Sequence, residues 1–114
     1  MSEQKRPKIY AVDFDGTLCE NKWPDIGEPK TDVVEFVREI QRRGDKWILW
    51  TMRTSDKLLA AVRWLDKLGL DPDAVNDNLL ELQFEYKTNP RKVYADIYID
   101  DHNAGGLVLP PFED

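Results

Sequence analysis

Two short apolar runs near opposite ends of the chain finish in pairs of carboxylates: Ile9-Tyr10-Ala11-Val12 leads into Asp13-Phe14-Asp15-Gly16-Thr17, and Ile97-Tyr98-Ile99 leads into Asp100-Asp101. The sequence between them alternates between strand and helix periodicity. Lys8 to Asp13 reads as a strand, rich in β-formers and bounded by Pro7 and an Asp-Gly pair. Val33, Val34, Val37 and Ile40 recur at helical spacing behind Thr31, a candidate N-cap, and the run stops at Gly44. Lys46 to Thr51 is almost wholly apolar, as a strand buried on both faces requires. Leu58, Leu59, Val62, Leu65 and Leu68 predict the inner face of a second helix, capped by Ser55 and closed by Gly69. Asp71-Pro72-Asp73 is a turn before a very short strand at Ala74-Val75, and Leu79, Leu80, Leu82 and Phe84 suggest a broken helix. Arg91 to Ala95 reads as a loop or helix end, Asp96 to Ile99 as the last strand, and Leu107 to Leu109 as an edge strand. Strand, helix, strand, helix, strand specifies an α/β fold, a central parallel sheet flanked by helices with right-handed crossovers.

If the two acid-terminated runs are neighbours in that sheet, their carboxyl ends open onto one crevice, where open α/β sheets bind ligands. Asp13, Asp15, Asp100 and Asp101 then share a pocket. Like charges at such range oppose one another's ionisation unless a cation sits among them or some acids are protonated. Hard oxygen ligands favour Mg²⁺. Phe14 to Lys30, punctuated by Gly16, Pro24, Gly27 and Pro29, reads as a long excursion with a small hairpin at its tip, and loops of that length are usually functional.

At 114 residues the chain is one domain by length and can bury roughly two thirds of its unfolded surface. Residues 1–7 read as a solvated tail and residues 8–114 as the domain. The polar start has no apolar core of a secretory signal, and no apolar run is long enough to span a membrane. A single cysteine, Cys19, allows neither an intrachain disulfide nor a cysteine-built zinc site, so a reducing cytoplasm is expected. The net charge of −6 weighs against broad nucleic-acid binding. A local basic patch stays open.

Attack on a phosphate ester needs a nucleophile that stays anionic and accessible, and a metal-bound carboxylate meets that need. Asp13 suits it. Asp15, two positions on and past the strand end, can project back over the same pocket and give a proton to the leaving oxygen. Transferred phosphoryl oxygens must be held by donors and cations, for which Thr51 at a neighbouring strand end and Lys92 ahead of the last strand are candidates, with Lys87 as a rival. Adjacent residues on an extended strand point to opposite faces, so one of Asp100 and Asp101 is expected to bind metal directly.

The set Asp13-Phe14-Asp15-Gly16-Thr17, Thr51, Lys92 and Asp100-Asp101, in that order over residues 9 to 101, resembles the signature motifs of the haloacid dehalogenase (HAD) superfamily. The ending Ile99-Asp100-Asp101-His102-Asn103 is similar to that of its small capless hydrolases. The resemblance implies a single-domain Rossmann-like core without a cap domain and a Mg²⁺-dependent phosphatase. In it Asp13 forms an aspartyl-phosphate and Asp15 acts as general acid, then base. Metal ligation falls to Asp13, the Asp15 main-chain carbonyl, Asp100 and Asp101, and substrate contacts to Gly16, Thr17 and Arg53. The expected partner is a phosphorylated substrate of open class, with closure of the site by oligomerisation left open.

Blander readings compete. Asp15-Gly16 is a strong hairpin signal, though Thr17 to Glu20 makes a poor partner strand. An EF-hand fails, because Leu18 and Pro24 fall where glycine and an acid are needed. Arg53 divides between a solvated helix start and a phosphate contact, Trp23 between a flap over substrate and packing on the sheet edge. His102 reads as an exposed residue beside the site, and Cys19 as an inert thiol. Two other classes remain as alternatives. A receiver-like phosphoacceptor module would place its acids in another order, and a non-catalytic binding domain would hydrolyse nothing.

Overall fold

A computed structural model describes residues 6–113. The part of the expected tail at residues 1–5 lies outside the described residues, whereas Arg6 is held by Glu85 at 2.6 Å. The elements in chain order are β1 (Ile9–Val12), β2 (Cys19–Lys22), β3 (Asp25–Pro29), α1 (Thr31–Arg42), β4 (Lys46–Leu49), α2 (Ser55–Lys67), β5 (Ala74–Val75), α3 (Leu80–Tyr86) and β6 (Ile97–Ile99). Four strands form a parallel sheet in the order β5-β4-β1-β6. β2 and β3 form a separate antiparallel hairpin inside the long excursion.

Alternation along each strand divides the core. Tyr10, Val12, Trp47, Leu49 and Ile99 face α1 and α2, where Val33, Val37, Ile40, Ala61 and Leu65 are buried. Each such aliphatic side chain contributes about 1.5–3 kcal/mol by leaving water. Ile9, Ala11 and Ile48 face the other way, against Leu79, Val93 and Ala95 from the return to β6. The first two crossovers step from β1 to β4 to β5, and the third returns past β1 to β6. The order therefore reverses at β1, and the crevice between the carboxyl ends of β1 and β6 is the topological switch point, where ligands of open α/β sheets bind.

Several local expectations are corrected. Thr31 and Ser55 are the first residues of their helices rather than the caps; Lys30 and Thr54 take the cap positions without a side-chain hydrogen bond. Ser55 has φ +49, so the chain enters α2 through a left-handed residue that the amphipathic pattern does not encode. Leu59 is exposed, because Ala61 and Leu65 take the centre of the inner face. Leu107 to Leu109 form no strand. Gly105 and Gly106, at φ +89 and +83, turn the chain out of ladder geometry, and Leu107, Leu109 and Phe112 pack on the core instead. No helix among the described residues is long and apolar enough to cross a membrane.

Candidate active site

Val12 pairs with Ile99, and the Asp13 N–H donates to the Ile99 carbonyl at 2.9 Å. The acids that follow the two strands are thereby neighbours across the switch point. β6 stops at Ile99 and the chain turns at once, with the Asn103 N–H donating to the Asp100 carbonyl at 3.2 Å. Strand alternation ends there, which corrects the expectation that Asp100 and Asp101 point apart. Asp100, Asp101 and His102 each offer a ligand atom within 4.8 Å of the others. His102 itself is exposed, its Nδ1 3.9 Å from Asp100 and 4.0 Å from Asp101.

Thr17 joins the two strand ends. Its buried hydroxyl lies 2.9 Å from Asp13 Oδ2 and 3.2 Å from Asp101 Oδ1, and it accepts the Asp101 N–H at 3.0 Å. Burial pushes the Asp13 carboxyl up to about 7, helped by the charge of Asp100 and opposed by the Thr17 hydroxyl. Burial also opposes ionisation of Asp101, but hydrogen bonds from Asp13 and Thr17 outweigh it and hold that carboxyl below the usual range. The proton belongs to Asp13 and the charge to Asp101. Close carboxylates oppose one another's ionisation, and Asp100, Asp101 and His102 could hold a metal ion beside Asp13.

Gly16 makes the approach possible. It has φ +88, and a Cβ there would stand 2.5 Å from Asp101 Oδ2. Its N–H donates to the Cys19 carbonyl at 2.9 Å, so neither the Gly16 amide nor the fully buried Thr17 is free for substrate, as the substrate-contact reading required. Both hold the site together instead.

Asp15 turns to a different partner. Arg53 Nε donates to Asp15 Oδ2 at 2.8 Å and its terminal NH2 nitrogen to Oδ1 at 2.7 Å, a two-bond fork. That NH2 group also donates to the Asp25 carbonyl at 3.0 Å, while NH1 reaches the carbonyls of Pro24 at 3.4 Å and Lys57 at 3.3 Å. The guanidinium lies between Phe14 and Trp23, 5.1 and 5.0 Å from their ring centres, and the Asp15 carboxylate raises its pKa. Arg53 is 1% exposed and all five of its donors are engaged. It is neither a solvated residue nor a free phosphate contact. Trp23 covers Arg53 with an exposed ring rather than the sheet edge.

Thr51 lies two residues past β4, next to the site strand, since the Trp50 N–H donates to the Val12 carbonyl at 2.9 Å. Its hydroxyl accepts the Arg53 N–H at 3.1 Å and remains able to donate. The lysines are redistributed. Lys92 is exposed and lines a cavity of about 620 Å³ with Lys8, Ile9 and Asp96, at the amino ends of β1 and β6. The structure thus leaves Lys92 away from the acids, because the return to β6 enters that strand from its opposite end. Lys87 closes α3 in the left-handed region and is exposed. Lys30, which sequence reasoning missed, is the lysine at the site: its Nζ donates to the Gly16 carbonyl at 3.2 Å. Only its place at the end of the functional excursion could have singled it out. Cys19 is buried, and burial pushes its thiol up, consistent with an inert group.

No family model and no curated protein matches the chain. A solved structure, described as the conserved protein coded by a locus from Bacteroides thetaiotaomicron, is 37% identical, with 90% of this chain and 83% of that one covered and a TM-score of 0.80. With identity and coverage at that level, the chain belongs to the same family as this conserved Bacteroides thetaiotaomicron protein.

Proposed function

We propose that the chain is a Mg²⁺-dependent phosphatase of the haloacid dehalogenase type, acting on a phosphate monoester through an aspartyl-phosphate. One observation carries the reading: Thr17 bridges Asp13 and Asp101 at the switch point, across 84 positions of sequence. Asp13, Asp100 and Asp101 would hold the metal, which when bound offsets the charge of the acids and of the phosphate. The Asp13 proton would pass to water on metal binding, after which an oxygen of the Asp13 carboxylate attacks phosphorus as the bond to the ester oxygen breaks. Asp15 gives its proton to that leaving oxygen. Asp15 then takes a proton from water, whose oxygen attacks phosphorus and releases Asp13 and inorganic phosphate. Thr51 and Lys30 would hold phosphoryl oxygens, Lys30 in the role first assigned to Lys92. The hairpin β2–β3 is the sole insertion between β1 and α1 among the described residues, so the proposed site is open and capless.

A panel of phosphate esters assayed with Mg²⁺ and with EDTA tests the reading. Wild-type turnover should require the metal, and Asp13→Asn should lose at least about 1,000-fold in kcat while keeping its fold, as removal of a nucleophile does. Equal rates from both proteins remove Asp13 from the reaction, and no hydrolysis of any ester leaves a binding module.

A further inference from the structure

We infer that Arg53 is the positioning residue for Asp15, fixing the plane of its carboxylate and tying it to the tip of the β2–β3 hairpin; this rests on the phosphatase reading above. The fork occupies one lone pair on each Asp15 oxygen and leaves the other pair on each for a reacting group. A single hydrogen bond would let the carboxylate rotate, whereas two parallel bonds fix its plane. The remaining donors of the same guanidinium hold the carbonyls of Pro24 and Asp25 from the hairpin and of Lys57 from α2. Trp23 and Phe14 close over its two faces. The end of β1, the hairpin tip and the first turn of α2 therefore meet on one buried cation, whose carboxylate partner at fork distance among the described residues is Asp15. A buried guanidinium needs a counter-charge, and here the carboxylate that supplies it is the one at the end of the site strand. The fork therefore serves the hairpin and also sets the group that passes a proton to the leaving oxygen as the bond from phosphorus to that oxygen breaks, and the two roles separate by their dependence on the leaving group.

The role predicts a dependence on the leaving group. An alkyl phosphate leaves as a strongly basic alkoxide and needs the proton; a nitrophenyl phosphate leaves as a weakly basic phenolate and hardly does. Arg53→Ala should lower kcat for the alkyl ester on the order of 100-fold and for the nitrophenyl ester less than about tenfold, with KM for both little changed. Arg53→Lys, which keeps the charge but has no fork, should resemble Arg53→Ala, and added guanidinium should restore alkyl-ester turnover to Arg53→Ala only. Asp15→Asn should show the same selectivity without guanidinium rescue. If Arg53→Ala does not fold, as circular dichroism would show, Arg53→Lys carries the comparison. An active wild type whose Arg53 variants lose the same factor on both esters overturns the positioning role and leaves the phosphatase reading standing. A wild type inert toward both esters overturns both.

Discussion

Three aspartates stand at each end of the parallel sheet, and they live in opposite electrostatic surroundings. At the amino ends, Asp45 accepts the Lys8 N–H at 3.0 Å, Asp96 the Ile9 N–H at 2.7 Å and Asp73 the Trp47 N–H at 2.9 Å. At the carboxyl ends, Asp13, Asp100 and Asp101 face one another with the Thr17 hydroxyl between two of them. The cause is directional. A parallel strand begins with N–H groups lacking a partner and ends with carbonyls, so an acid at its start meets donors and an acid at its end meets more acceptors. Acids ahead of an apolar run complete the ladder. Acids behind one must find side-chain partners instead: Asp13 and Asp101 share the Thr17 hydroxyl, and Asp15 takes the Arg53 fork.

Exchanging lysines between the two ends gives the widest predicted contrast. Lys30→Ala should lower kcat on the order of 100-fold by removing a donor to the phosphoryl group, while Lys92→Ala, at the amino end, should leave turnover unchanged. Steady-state rates on the best ester of the panel decide it, and a larger loss from Lys92→Ala would reverse the assignment. Stability divides differently. Asp96→Ala strands the Ile9 N–H and removes the acceptor of the Tyr94 hydroxyl, and should cost about 1.5–3 kcal/mol in urea unfolding with no change in kcat. Thr17→Val, which strands the Asp101 N–H, should cost about 1–3 kcal/mol and weaken Mg²⁺ binding as well. A Thr17→Val protein with wild-type metal affinity would separate the bridge from the site.

The two ends also differ in a pH dependence specific to the carboxyl end. Folded Asp13 keeps its proton up to about 7, whereas its ordinary value is 3.8. Over that window the folded state binds more protons than the unfolded chain, so stability in EDTA should fall as pH rises from about 4 to about 7 and level off above. The depressed Asp101 acts in the opposite sense, its contribution being lost only at pH below the ordinary carboxylate range. Urea midpoints at about pH 5 and about pH 7.5 read the slope, which saturating Mg²⁺ and Asp13→Asn should each abolish. A midpoint that rises over this interval in EDTA contradicts the crowding of Asp13.

The backbone plan was legible because it rests on local periodicity. The runs at Ile9 to Val12, Lys46 to Leu49 and Ile97 to Ile99 became neighbouring strands, and the valines of α1 were buried as their spacing required. Acids on strand ends were legible for the same reason. Partner choice was not. Arg53 reads as the start of a helix until the hairpin tip, Phe14 and Asp15 are folded around it, and those contacts span 28 to 39 positions. Lys92 was favoured for being near β6 in sequence, a measure blind to which end of the strand the chain approaches. Leu107 to Leu109 carry β-forming side chains, and the two preceding glycines decide their path.

The link from Thr17 to Asp101 also sets an order of assembly. Its two halves come from the first and last strands, so a growing chain has no complete acid cluster until residues 97–101 have docked beside β1. Closing so long a loop is slow compared with forming either helix. Nascent or truncated forms lacking β6 would therefore leave Asp13 without its companions, and the proposed ion site would be complete only with the finished sheet.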